Sequence, residues 1–352
     1  MQTAQTQTTE MQATETQTAQ TQTVAIGRLE LRLGGVLADA KLAYCSYGTL
    51  APDGGNAILV THGFTSSHQF VEQGGWGSLL GPGRPLDTNR FFVVSSNMLG
   101  SSYGSTAPSS IDPASGRPYG PDFPAITVAD MVQAQRRLLG ALGVRQLVAV
   151  VGPSYGGFQA FTWGVEFPDF MRGLVPVESA PRAQAPFDDV ALLRRLAADP
   201  RWNGGHYYDE GEGVLQTMTA LRIETLRRYG AEQGLRAQGL DATAIEAELL
   251  RQARPWAREF DAHSMLALGR AINRYDVTPD LGRIRARVLY LLSRTDAVFP
   301  PSLAPPVMAA LRNAGVDARY AEIDTVHGHL GSDVDVALWA PVLSGFLDEL
   351  AG

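Results

Sequence analysis

At 352 residues, with 45% hydrophobic and 18% charged residues, the chain can bury a sizeable core, which excludes global disorder, collagen-like and disulfide-stapled architectures. Twenty-nine Lys and Arg against thirty-six Asp and Glu give a net charge of −7, the wrong sign for tracking a phosphate backbone, so nucleic acid is excluded as a partner. Cys45 is the single cysteine, which rules out an intramolecular disulfide, a thiolate zinc cage and an iron–sulfur cluster, and fits a cytoplasmic setting.

No stretch approaches the roughly 18 apolar residues that a spanning helix needs, so no membrane partner is expected. Residues 1–23, a Gln/Thr repeat without Lys, Arg or an apolar block, match no targeting signal and read as a disordered tail. Leu29–Leu33 and Lys41–Gly48 alternate like half-buried strands. Ala57–Thr61, Phe91–Ser95 and Leu147–Val151 are continuous apolar runs, the pattern of strands covered on both faces. Helical periodicity covers Val128–Leu142, ended by Gly143, and resumes after Ser154. From 182 to 282 the pattern is almost wholly helical, which reads as an inserted cap or lid. Strand signals return at Arg287–Leu292 and Ala318–Ile323, with helices around Leu303–Ala314 and from about Val334 to Leu350. Strands alternating with helices predict a mostly parallel α/β sheet flanked by helices: core over 24–181, cap over 182–282, core again over 283–352.

The sharpest motif is Gly152-Pro153-Ser154-Tyr155-Gly156, directly after the strand ending at Val151 and directly before a helix. This is G-x-S-x-G in the strand–turn–helix context that lifts a nucleophilic serine to the rim of an α/β-hydrolase sheet. Gly152 and Gly156 are required because a strand turning sharply into a helix crowds any Cβ there. The Tyr155 N–H and the start of the helix face an oxyanion formed at Ser154. A serine needs an imidazole base and a carboxylate to orient it, in the chain order Ser, acid, His. Only His206, His263, His327 and His329 follow Ser154, and the first two fall in the cap. His329 is preferred over His327 because Gly328 gives a tight turn after the strand ending at Ile323. Asp296, just beyond the strand Arg287–Leu292, is the acid. In His62-Gly63-Phe64, after the strand Ala57–Thr61, Gly63 makes the turn and the Phe64 N–H is the second oxyanion donor, His62 being structural. No metal-ligand spacing is present, and no cofactor is called for.

At these residues the chain resembles the homoserine O-acetyltransferase family of the α/β-hydrolase fold. The resemblance runs through Leu42-Ala43-Tyr44, Tyr47-Gly48-Thr49-Leu50, the stretch from Gly81 to Phe92, Asn97-Met98-Leu99-Gly100, Tyr103-Gly104-Ser105-Thr106, Phe123 to Thr127, the serine turn, and Asp199-Pro200 with Trp202. It implies a ping-pong mechanism in which the serine takes an acetyl group from acetyl-CoA, a co-substrate, and passes it to the homoserine hydroxyl. It also implies a homodimer through the cap, with Ser154, Asp296 and His329 at the matching positions. The family further suggests an aspartate after the histidine and an arginine on a cap helix to hold the amino acid. Leu330 stands at the first position and Met218 at the second, with Arg222 one helical turn away. Pro153 and Tyr155 replace a usual glycine and methionine.

The sequence therefore predicts a serine acyl-transfer enzyme working through an acyl-enzyme on a small ester or thioester. With the zwitterion clamp missing at Leu330 and Met218, water is the favoured acceptor, making the chain a divergent esterase-like hydrolase. The alternatives are a CoA-dependent homoserine O-acyltransferase and, from another class, a non-catalytic binding protein on the same scaffold.

Overall fold

The computed structural model describes residues 20–209 and 211–352. Eight strands form one sheet in the order β1-β2-β4-β3-β5-β6-β7-β8: β1 (Gln22–Glu30), β2 (Val36–Tyr47), β3 (Ala57–Thr61), β4 (Phe92–Ser96), β5 (Leu147–Pro153), β6 (Met171–Val177), β7 (Arg287–Ser293) and β8 (Ala318–Ile323). The β1–β2 and β2–β4 pairs are antiparallel, and every pair from β4 to β8 is parallel. The uninterrupted apolar run of β3 is buried at all five positions because each face carries its own core. Ala57 and Leu59 pack with α1 (Val128–Ala141) and α2 (Tyr155–Glu166), whereas Ile58 and Val60 pack with Trp76, Trp339 and the last helix, α10 (Ala340–Ala351).

Between β6 and β7 the chain runs through α3 (Asp189–Ala197), α4 (Leu215–Arg228), α5 (Ala231–Ala237), α6 (Ala242–Glu259) and α7 (Ala262–Ile272), and among the described residues no strand of the sheet falls there. The helix α8 (Ala304–Asn313) then links β7 to β8. Three expectations need correction. The strand expected over Leu29–Leu33 ends at Glu30, and residues 31–35 make the turn into β2, closed by the Gly34 N–H donating to the Leu31 carbonyl at 3.0 Å. Of the tail expected over 1–23, residues 1–19 lie outside the described residues, but Gln22 and Thr23 open β1 rather than a tail. Gln22 pairs with Tyr44 and accepts a hydrogen bond from its hydroxyl at 2.9 Å, so cross-strand pairing recruits a polar segment that has no apolar signal of its own. The final helix is not continuous from Val334. A short helix α9 (Gly331–Val334) and a 3-10 turn precede α10, the helical path breaking at Asp335 (φ −108°, ψ 39°) and Trp339 (φ −121°, ψ −12°), and Pro341 in the first turn of α10 has no N–H to donate back to the preceding turn.

The sheet has its switch point at β3, whose successor in sequence, β4, lies on one side while β5 lies on the other. The loops leaving β3 and β5 are thereby neighbours at the carboxyl edge, where open α/β sheets gather ligands.

Candidate active site

Ser154 occupies the turn between β5 and α2 with φ 55° and ψ −117°, a strained conformation for a residue bearing a Cβ. Its N–H donates to the Val177 carbonyl at 2.8 Å, and its carbonyl accepts from the Ser179 hydroxyl at 2.8 Å, so the end of β6 over-determines the turn. A Cβ at Gly152 would lie 2.1 Å from Thr61 Oγ1, and one at Gly156 would lie 2.2 Å from the Thr61 carbonyl oxygen. Gly157, which the motif does not single out, is held as tightly by Ser179, 2.3 Å away. Gly63 opens the turn after β3, its carbonyl accepting from the Ser66 N–H at 3.3 Å; a Cβ there would make ordinary contacts, 3.4 Å from Ser66 Oγ and 3.8 Å from the Ser154 Cβ, so that turn does not demand a glycine.

Neither the Phe64 N–H nor the Tyr155 N–H donates a hydrogen bond among the described residues. The two residues are adjacent, their rings stacked at 5.9 Å. His62 is locked away from this pair. Its Nε2 accepts from the Met98 N–H at 3.0 Å, so Nδ1 carries the proton and donates to the Gly63 carbonyl at 2.9 Å. Burial pushes this imidazole down to about 3, which keeps it neutral and structural.

His329 sits on the loop after β8, where Gly328 adopts φ 60°, and its Nδ1 lies 2.7 Å from Asp296 Oδ2. Both side chains are buried. The other Asp296 oxygen accepts from the N–H groups of Val298 and Phe299 at 2.7 and 3.1 Å, which fixes the carboxylate in the loop after β7. The rings of Tyr229 and Phe299 flank the imidazole at 4.9 and 5.6 Å. Burial alone would depress His329, but the hydrogen bond and charge of Asp296, with Glu178 behind it, leave it raised above the ordinary value. With Nδ1 engaged, Nε2 holds the free lone pair. His327 points elsewhere: it lies against Gly234 on the cap, and its Nε2 is 3.9 Å from Asp335.

Ser154 and His329 open onto one cavity of about 280 Å³ that also takes in Phe64, Leu330, Arg222, Glu178 and Asp333. Arg222, on α4, reaches into it from the cap. Its guanidinium is half-buried, with Nε shielded from solvent; it donates to Thr65 Oγ1 at 2.7 Å and lies 5.0 Å over the Trp256 ring. Its Nε has no partner, and no carboxylate pairs with it among the described residues. Burial lowers its affinity for a proton, as expected of a cation taken out of water with no counter-ion.

Met218 is not in this cavity. One turn earlier on the same face of α4, about 6 Å along the axis, it packs in a separate cleft with Tyr207, Ala257 and Phe260. Of the two pocket candidates on α4, Arg222 lines the serine cavity and Met218 does not. Leu330 does line the cavity, but Asp333, three residues on, lines it too, a residue the sequence reading passed over. Asp333 Oδ1 accepts from the Gly75 and Trp76 N–H groups at 2.8 and 3.2 Å, which pins the carboxylate to the cavity wall. A larger cavity of about 610 Å³, lined by Trp202, His263 and Arg270 among others, contains none of these groups.

The model of the α/β-hydrolase fold family matches residues 56–328. A homoserine O-succinyltransferase of Methylibium petroleiphilum is 38% identical, with 92% of each chain covered. A homoserine O-acetyltransferase of Symbiobacterium thermophilum is likewise 38% identical over 92% of each chain. Among solved structures, an acetylester hydrolase from Corynebacterium glutamicum superposes with a TM-score of 0.80 at 27% identity, covering 94% of this chain and 96% of its own. The eight-stranded sheet, the glycine-pinned serine turn and these relatives lead to one conclusion: the chain belongs to the α/β-hydrolase fold family and, within it, to the homoserine O-acyltransferases.

Proposed function

We propose that this protein is an acyltransferase that moves a short acyl group from an acyl-CoA thioester to the hydroxyl of homoserine, or of a close amino-acid analogue, through an acyl-Ser154 intermediate. In this reading His329 Nε2 takes the Ser154 proton, Asp296 orients the imidazole and stabilises its cation, and the Phe64 and Tyr155 N–H groups receive the developing oxyanion. The tetrahedral intermediate collapses and CoA leaves as the thiol, its sulfur taking the proton back from His329. The acceptor hydroxyl then gives its proton to His329 and attacks the acyl-serine carbonyl, and Ser154 Oγ leaves, taking that proton from His329, which restores the enzyme.

The observation that carries the choice of acceptor is Arg222, a half-buried guanidinium in the serine cavity with no carboxylate partner among the described residues. A cation left unpaired in a buried site is costly unless a ligand anion completes it. The α-carboxylate of an amino acid is such an anion, and Asp333 offers the opposite charge for its ammonium group. The names of the curated relatives agree with this acceptor. Hydrolysis is the second reading, favoured by Leu330, whose apolar side chain stands where the family resemblance implies an aspartate, and by the acetylester hydrolase of the same fold.

Steady-state release of free CoA from acetyl-CoA tests the proposal. Release that saturates with L-homoserine and yields O-acetylhomoserine is expected. Release at the same rate with and without homoserine would assign the chain to the hydrolases instead.

A further inference from the structure

One buried carboxylate in the serine cavity has no part in the reaction as described. Glu178 follows the last residue of β6 and is fully buried, with φ 47°, a left-handed conformation that is uncommon for any residue but glycine. Its backbone N–H donates to the Leu291 carbonyl of β7 at 2.7 Å. Its side chain gathers the other two segments of the site. Oε1 accepts from the Ser293 hydroxyl, at the end of β7 and three residues before Asp296, and from the Ser332 N–H at 2.9 Å. Oε2 accepts from the Ser332 hydroxyl at 2.6 Å, three residues after His329. The residues on either side of Glu178 hold the serine turn itself, through the Val177 carbonyl and the Ser179 hydroxyl. One side chain thus stands where the segments bearing Ser154, Asp296 and His329 converge.

We propose that Glu178 is a positioning residue of the catalytic centre: its carboxylate ties the loops of His329 and Asp296 to the strand beneath Ser154, and its negative charge steadies the protonated imidazole. The proposal rests on the roles given above to Ser154, His329 and Asp296, but not on the identity of the acceptor. Three hydrogen-bond donors converge on this carboxylate, an arrangement that suits the ionised form. Burial works against ionisation, and with the Asp296 charge it outweighs His329, Ser293 and Ser332, so the carboxyl is pushed up to about 7. The titratable groups that face it are His329 and Asp296, while Arg228 bears on His329 in the opposite sense from the cap. Glu178 consequently changes charge over the same pH range in which the imidazole must work as a base.

Glu178→Gln keeps the shape and the acceptor for the Ser332 N–H but removes the charge. The His329 titration is followed by NMR on histidine-labelled enzyme, its resonance assigned by its loss in His329→Ala. In folded Glu178→Gln the imidazole pKa is expected to fall by about one pH unit, because a nearby opposite charge is gone. The acid limb of the kcat/KM profile for p-nitrophenyl acetate is expected to move down with it, with kcat reduced roughly tenfold and KM unchanged within about twofold. A packing role alone would lower the rate without moving His329. An unmoved His329 in the folded variant overturns the proposal. If Glu178→Gln fails to fold, Ser332→Ala decides, since loss of one hydroxyl donor favours the neutral carboxyl. His329 then shifts in the same direction by less, and no shift overturns the proposal. The titration is read on resting enzyme, so its outcome is separate from Ser154→Ala turnover, which tests the nucleophile, and from homoserine dependence, which tests the acceptor.

Discussion

Arg222→Met should separate acyl transfer from acylation. The substitution keeps a flexible apolar stem over Trp256 and removes the guanidinium that lies in the serine cavity with its Nε unpaired. A hydrogen bond to a charged group is worth about 1.5–3 kcal/mol net. At 1.4 kcal/mol per factor of ten, loss of the contact to a substrate carboxylate should lower kcat/KM for homoserine by about 10-fold to 150-fold. The acyl donor needs no such contact, so the burst of p-nitrophenol from p-nitrophenyl acetate should stay within about threefold. Stability gives a second and less intuitive readout. The wild-type guanidinium is partly withdrawn from water with no carboxylate partner among the described residues, so its removal should leave the Tm unchanged or raise it slightly, as happens when a site is kept for function at a cost to the fold. Thr65 loses a donor but stays near the cavity surface. Homoserine-dependent CoA release, the nitrophenol burst and a thermal melt together make the test. A homoserine kcat/KM changed by less than about threefold would refute the carboxylate role, and a collapse of both Tm and burst would mean that the guanidinium is a structural post.

The remaining predictions concern the serine, the base, the anion and the turn. Ser154→Ala should abolish acyl turnover while keeping the melting profile, and a serine-directed phosphonate should label Ser154 alone by peptide mass spectrometry. His329→Ala should cost several orders of magnitude in kcat, whereas His327→Ala should change it by less than about tenfold; the opposite pattern would move the base to His327. Because the neutral imidazole is the base and His329 is raised above its ordinary value, kcat/KM should climb as pH rises through that elevated value, and a limb centred below the usual imidazole range would contradict this geometry. Asp333→Asn keeps an acceptor for the Gly75 and Trp76 N–H groups but loses the charge, so homoserine KM should rise about tenfold with the nitrophenyl acetate burst intact. Gly156→Ala should fail to yield folded protein or lose at least about 3 kcal/mol in urea melts, since its Cβ would overlap the rigid Thr61 backbone.

The serine turn is legible in the sequence because its demands are local. An apolar strand, glycines two residues either side of a serine and a helix behind it satisfy one steric condition within ten residues. The parallel strands are equally plain, since burial on both faces leaves nothing to interrupt their apolar runs. The pocket is a different matter, because its charges come from segments whose helical phase relative to the sheet is set by tertiary packing. Met218 and Arg222 differ by one turn of α4, and a one-turn error in placing that helix exchanges a cation for a thioether. Asp333 could have been found by stepping one turn past Leu330 in Gly328-His329-Leu330-Gly331-Ser332-Asp333. Glu178 carried a signal as well, a carboxylate directly beyond the apolar run of β6, at the edge where the nucleophile and the acid also leave their strands. The pairing of Gln22 in β1 had no comparable mark, because a polar edge segment acquires its order from its neighbour.

The most direct measurement is the fate of a preformed acyl-enzyme. Acetyl-CoA mixed with enzyme and freed of excess donor should leave one acetyl group on Ser154, visible by intact mass and peptide mapping. Its decay is then timed in buffer and at increasing L-homoserine. The account predicts that homoserine accelerates decay in a saturable way, that O-acetylhomoserine outweighs acetate among the products, and that the acceleration is lost in Arg222→Met. Decay to acetate at a rate indifferent to homoserine would contradict it and make water the acceptor.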